Sequence, residues 1–258
     1  QKQGYDATAI HPYDTSMYKR KDVYNVMGFQ TFLDQDTMTY TDKIENNPYI
    51  SDASAYKEVL SLLADDQKPQ FVHLVTMQTH MPYEGKYTTL NYQASGDGNM
   101  TALENYLQDV SYSSTALKNF IQQLKQLNRR TLVVFWGDHL PGIYSDAIKE
   151  QNETATLHET QFLMVDSEGT FSNETVPVTS PFYFAPNVLN ESQQPINGFY
   201  ALLLALQEKL PAFENGQYYQ GEQWRGELSL DAESKELYEA YQLIQYDILQ
   251  GKQYSLQT

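Results

Sequence analysis

Three short segments carry residue types that could do chemistry together. The first is Trp136-Gly137-Asp138-His139-Leu140-Pro141-Gly142, directly after the apolar run Thr131-Leu132-Val133-Val134-Phe135. A carboxylate and an imidazole side by side are ordinary ligands of a divalent metal, and the preceding glycine gives the backbone freedom to turn. A dyad is not yet a site, and an aspartate capping a loop beside a packed histidine fits the same residues. The second is Thr79-His80-Met81-Pro82-Tyr83, after the run Gln70–Met77. An imidazole there can hydrogen-bond a phosphate or sulfate oxygen, or protonate a leaving alkoxide, because it titrates near neutrality. The third is His11-Pro12-Tyr13 followed by Tyr18-Lys19-Arg20, where an imidazole, an aromatic face and a guanidinium suit an anionic headgroup bearing hydroxyls.

Positioning these groups requires a sheet whose strands end together. Tyr5–Ile10, Gln30–Leu33, Gln70–Met77, Thr131–Trp136, Gln161–Val165 and Phe182–Ala185 read as strands. Lys21–Met27, Asp52–Ala64, Thr101–Leu127, Ile196–Leu206 and Ser234–Leu249 have helical periodicity. In the longest of these, Leu103, Tyr106, Leu107, Val110, Leu117, Ile121 and Leu124 form one apolar stripe. Near-continuous apolar strands alternating with helices predict an α/β fold with a mostly parallel central sheet, and in such sheets ligands sit at the carboxyl ends of strands. Residues 1–258 read as a single α/β domain, 207–258 as a C-terminal helical extension, and Glu214–Gly226 as an exposed excursion.

Other histidines and tyrosines add less. His73 alternates with Val72 and Leu74 and reads as a satisfied interior or face residue. The 21 tyrosines fall mostly at strand or helix spacing, which marks packing rather than a sugar-stacking motif. No Gly-x-Ser-x-Gly, no phosphate-binding Gly-rich loop and no His-Glu-x-x-His occurs, which withdraws support from acyl transfer and nucleotide hydrolysis.

Composition narrows the partners. The 258 residues carry 17 Lys+Arg against 33 Asp+Glu, a formal net charge of −16, and that charge opposes nucleic acid or an anionic membrane surface. Hydrophobic residues at 41% suffice for a core. The absence of cysteine excludes disulfide and thiol chemistry. No apolar run reaches a membrane-spanning length.

Taken in order, His11-x6-Tyr18-x-Arg20, Thr79-His80-Met81-Pro82-Tyr83 and Trp136-Gly137-Asp138-His139 resemble the sulfatase-fold phosphoglycerol transferases, the family of lipoteichoic acid synthase. The likeness extends over about Gln1–Phe184, and implies an alkaline phosphatase/sulfatase-like fold. It implies Asp138 and His139 as ligands of a divalent metal, Mn2+ in the first place with Mg2+ or Ca2+ as alternatives. It further implies His80 beside the transferred phosphate as the catalytic group, and His11, Tyr18 and Arg20 as substrate contacts. The family's aromatic is typically Trp where Tyr18 stands.

The family's threonine nucleophile and acidic metal ligand belong upstream of the early histidine. This reading therefore expects a chain truncated at the N-terminus, with an incomplete metal site and no turnover alone. The parent protein would work at the extracellular face of a bacterial membrane, anchored by an upstream region. Expected partners are an anionic phospholipid headgroup or glycerol-phosphate polymer, the missing N-terminal half, and a second copy of the fragment through an exposed sheet edge. Two other readings compete: a non-catalytic cell-surface glycan-binding module, and a self-sufficient metallohydrolase in which His158, Asp146 or Glu150 completes a centre around Asp138.

Overall fold

The computed structural model describes residues 3–65 and 68–256, a mixed α/β chain that divides into two compact units. One unit takes the chain up to Thr131 and adds His139–His158; the other holds Leu132–Asp138 and everything from Glu159 onward.

The first unit is built on a parallel three-stranded sheet. β1 (Asp6–His11) lies between β2 (Thr31–Asp34) and β3 (Gln70–Leu74), pairing Ile10 with Leu33 on one side and with Leu74 on the other. The central position explains why Ala9, Ile10 and His11 are fully buried. Strand β3 is shorter than the apolar run Gln70–Met77 predicts, and it is an edge, so Phe71 is 55% exposed instead of covered on both faces. After Leu74 the backbone leaves the ladder, and Val75–His80 forms a loop whose carbonyls need other partners.

Three helices pack in this unit. α1 (Arg20–Met27) follows a 3₁₀ turn at Met17–Lys19 and stops at Gly28, whose φ of 90° suits glycine. α2 (Asp52–Asp65) packs on α3 (Met100–Leu124), with Tyr56 stacked on Phe120 at 4.7 Å between ring centroids. The Asn99 side chain caps α3 by accepting from the Ala102 amide at 3.1 Å. The stripe expected for this helix is only partly the one it buries: Leu124 is interior, and Leu103, Tyr106, Leu107, Leu117 and Ile121 are half-buried. Val110 is 40% exposed, while Asn105, Gln108 and Asp109 lie in the interior with Ala102, Phe120 and Leu124. Two short helices, α4 (Asp146–Glu150) and α5 (Thr154–Leu157), complete the unit.

The second unit begins with β4 (Leu132–Trp136), which pairs with β5 (Phe162–Asp166) in antiparallel register, Val134 opposite Met164. An apolar run does not encode strand direction, so this orientation was not readable from the sequence. Phe182–Ala185 is not a strand: Pro181 opens a 3₁₀ turn over Pro181–Tyr183 that runs into α6 (Phe184–Glu191), because proline at a first helical position is pre-set for helix. α7 (Gly198–Lys209) buries Leu203 and Leu206 in a core with Tyr183, Leu210 and Phe213. Glu214–Gly226, expected as an excursion, belongs largely to an antiparallel meander of β6 (Ala212–Glu214), β7 (Gln217–Gln220) and β8 (Gln223–Arg225). Gly216 at φ 81° makes its first turn. α8 (Ala232–Leu249) lays Leu237, Tyr238 and Tyr241 on that core, and a 3₁₀ turn at Tyr254–Leu256 follows.

Candidate functional site

In the first unit, His11, His80 and His139 gather along one run of rings. His11 meets Tyr13 at 6.3 Å, Tyr13 meets Tyr49 at 5.4 Å, Tyr49 meets His80 at 5.8 Å, and His80 meets His139 at 6.4 Å. The sheet produces this arrangement: β1 ends in His11, and the loop beyond β3 carries His80.

His11 is fully buried, and its Nδ1 lies 3.0 Å from the Val75 carbonyl. A carbonyl oxygen only accepts, so Nδ1 donates and Nε2 is the ring's acceptor in the neutral form. Nε2 is buried and has no hydrogen-bond partner. Burial lowers the His11 pKa, the Val75 bond works against that, and the charges of Arg20 and His80 lower it further. That lowering favours the neutral imidazole, in which Nε2 is an acceptor.

Arg20 opens α1, donates Nη1–H to the Tyr24 hydroxyl at 3.0 Å and stands 5.5 Å over the Tyr18 ring. Its Nε is buried and has no partner. Tyr18 is 77% exposed and, with Lys19, holds a left-handed backbone (φ 58° and 50°), strain of the kind that clusters at ligand clamps. His73, read as an interior or face residue, is one: its ring packs on Tyr24 at 5.6 Å and Phe29 at 6.1 Å.

His80 repeats the pattern of His11. Its Nδ1 sits 2.8 Å from the Met81 carbonyl, which also accepts from the Tyr49 hydroxyl. His139 repeats it again, with Nδ1 3.0 Å from the Leu140 carbonyl. All three rings thus turn Nε2 away from the backbone, the orientation that a phosphate oxygen or a metal requires.

Beneath His80 lies a polar network that sequence reasoning missed. Lys86 is 1% exposed and donates to the carbonyls of Gln78 and His80 at 2.8 Å each and to the Asp109 carboxylate at 2.7 Å. Asp109 also accepts from Asn47 at 3.0 Å and from the Tyr87 hydroxyl. Gln78 donates to the Asp109 carbonyl at 3.2 Å and accepts from the Asp52 amide at 2.9 Å. The available signal was the polar series Asn105, Gln108, Asp109 at helical spacing inside an otherwise amphipathic pattern.

Asp138 is exposed and ends the β4 segment of the second unit; His139 begins the segment belonging to the first. Gly137 between strand and dyad has no left-handed φ. Its missing side chain serves closeness instead: an added Cβ would come within 2.9 Å of the Thr160 Cβ, and Thr160 donates to the Gly137 carbonyl at 2.7 Å. Carboxylate and imidazole are suitable donors for a divalent cation. Even so, no group of three or more His, Cys, Asp or Glu side chains comes together among the described residues. The His158 Nδ1 donates to the Thr154 carbonyl at 2.7 Å.

A protein-family model described as Sulfatase matches residues 1–191. Among curated proteins, one from Rhizobium meliloti (strain 1021), named for cyclic beta-1,2-glucan modification, is 27% identical over 98% of this chain and 42% of its own length. Lipoteichoic acid synthase 1 of Bacillus subtilis (strain 168) is 27% identical over 54% of this chain and 22% of its own. Among solved structures, the Streptococcus pyogenes phosphoglycerol transferase GacH in complex with sn-glycerol-1-phosphate superposes with a TM-score of 0.80 at 25% identity, over 99% of this chain and 64% of that one. The chain thus spans less than two thirds of the length of each of these three proteins.

Proposed function

The chain belongs to the sulfatase-fold phosphoglycerol transferase family, and from that premise we propose that it supplies the glycerol-phosphate-handling side of a catalytic centre acting on cell-envelope lipids or polymers. One observation carries the reading: two buried, partnerless polar atoms, His11 Nε2 and Arg20 Nε, occur in side chains that feel one another's charge. A neutral imidazole acceptor beside a guanidinium matches a ligand with a hydroxyl at one end and a phosphate at the other.

In this reading Arg20, steadied by Tyr24 and Tyr18, takes the phosphate, and His11 takes a glycerol hydroxyl. His80 is the acid that gives an Nε2 proton to the alkoxide as the phosphorus–oxygen bond breaks. Asp138 and His139 are two donors of a divalent metal centre, with Mn2+ the first candidate ion and Mg2+ or Ca2+ alternatives. The remaining donors and the threonine nucleophile come from outside these residues. Two donors where about four are needed support that division. A metal, when bound, supplies neutralisation of phosphoryl charge. Water or another hydroxyl as acceptor separates hydrolase from transferase.

The donor is proposed to be an anionic phospholipid headgroup or glycerol-phosphate polymer at the extracellular face of a bacterial membrane, with the parent chain anchored elsewhere in its sequence. No helix among the described residues is long and apolar enough to cross a membrane. Calorimetric titration tests the core of the reading. Saturable binding of sn-glycerol-1-phosphate, tighter than that of glycerol or inorganic phosphate alone, is expected; equal, non-saturable heats from all three would refute it.

A further inference from the structure

Lys86 and Asp109 form a buried ion pair that stability alone does not explain. Each charge loses its water: burial pushes the Lys86 pKa down and the Asp109 pKa up, while their mutual attraction pushes each back. An apolar pair of the same volume is often as stable or more so, which makes the use of the charges the informative question.

All of the Lys86 donor capacity is spent at one place. Three acceptors take its three ammonium protons, and two of these are the carbonyls of Gln78 and His80, in a loop beyond the end of β3 that has no strand ladder to hold it. The same ammonium sits 5.5 Å from the ring centre of Tyr49 and 5.8 Å from that of Tyr83. Tyr49 in turn donates to the Met81 carbonyl, the acceptor of His80 Nδ1. Asp109 is locked by Asn47 and Tyr87, so the cation rests on a fixed base.

We infer that Lys86, seated on Asp109, is a positioning residue for His80: it holds the Gln78–His80 backbone and the Tyr49 ring so that His80 keeps Nδ1 on the Met81 carbonyl and presents Nε2 outward. The substrate that Nε2 meets rests on the function proposed above; the seating of the ring does not.

The test uses the whole 258-residue chain with both charges removed together, Lys86→Met with Asp109→Asn, so that no lone buried charge remains. Nitrogen shifts of the His80 ring report its tautomer, and His158 serves as an internal control. The expected result is a folded variant whose His80 nitrogens move toward the average of two tautomers while those of His158 stay put. Affinity for sn-glycerol-1-phosphate is expected to fall about tenfold, or ~1.4 kcal/mol. A folded variant with an unaltered His80 tautomer overturns the inference. Should the double variant not fold, Tyr87→Phe, which removes one hydroxyl from Asp109, is expected to move the His80 signals in the same direction by less; unmoved signals overturn the inference. A wild-type chain that fails to bind sn-glycerol-1-phosphate counts against the proposed function, and the tautomer result still decides the role of Lys86.

Discussion

The His80 and His139 rings stand 6.4 Å apart at 89° to each other, each with Nδ1 tied to the carbonyl of the residue that follows it. Two segments separated by nearly sixty positions in sequence therefore deliver imidazoles of the same tautomer to one place. The segment with the metal-type dyad and the segment with the proton-transfer histidine serve a common site in the proposed reading.

In the proposed reading Arg20 reads phosphate shape as well as charge, through the planar fork of a guanidinium that stands over the Tyr18 ring. Replacing it by Lys keeps the charge and loses the fork. Arg20→Lys is expected to weaken sn-glycerol-1-phosphate binding about tenfold and Arg20→Ala about a hundredfold, measured by calorimetry with unchanged melting temperature. Equal affinities for wild type and Arg20→Lys would remove the guanidinium from the phosphate site.

Asp52 makes stability depend on pH in an unusual direction. Burial raises its pKa to about 6, against which the Ser113 and Thr76 hydroxyls work. Between the unfolded value of 3.8 and about 6 the folded chain holds a proton that the unfolded chain releases, so this group removes stability as pH rises through that window. The loss is complete above it, at roughly 3 kcal/mol. Asp52→Asn cannot titrate; it is expected to raise the melting temperature at pH 8 and to give a smaller gain at pH 4. A gain that grows toward acid pH would contradict the assignment.

Gly137 is required by space. Because Thr160 is β-branched and bonded back to the Gly137 carbonyl, it cannot swing clear of an added methyl. Gly137→Ala is expected to cost about 1–3 kcal/mol, read as a lowered midpoint in denaturant. A midpoint at the wild-type value would show that Thr160 yields.

Metal affinity should be weak. If Asp138 and His139 are the donors, as proposed, and no larger group of His, Cys, Asp or Glu joins them among the described residues, manganese titration is expected to show binding weaker than micromolar, reduced further by His139→Ala. Submicromolar binding would mean that donors beyond Asp138 and His139 lie within these residues.

Much of this was legible in the sequence because apolar runs and punctuating prolines carry strong local signals. Strands were visible in Gln70–Met77 and Thr131–Trp136, which hold the observed Gln70–Leu74 and Leu132–Trp136. The antiparallel sense of β5 was not visible, since neither Phe162–Asp166 nor its partner encodes direction. The Lys86–Asp109 pair escaped for another reason. A polar residue on a helix reads as solvent-facing until a partner 23 positions away is known to be buried with it. Tyr13 was singled out beside His11, but Tyr49 was hidden among 21 tyrosines whose spacing suits packing equally well. His11, Arg20 and His80 were singled out by type and order; the carbonyls facing Nδ1 of His11 and His80, and the unpartnered His11 Nε2 and Arg20 Nε, required coordinates.

The most direct test of the central claim follows the ring nitrogens of His11, His80 and His158 while sn-glycerol-1-phosphate is added to the labelled chain. The account predicts that Nε2 of His11 and of His80 shift together along one binding curve, with His158 unmoved. Saturable binding that leaves both His11 and His80 untouched would contradict it.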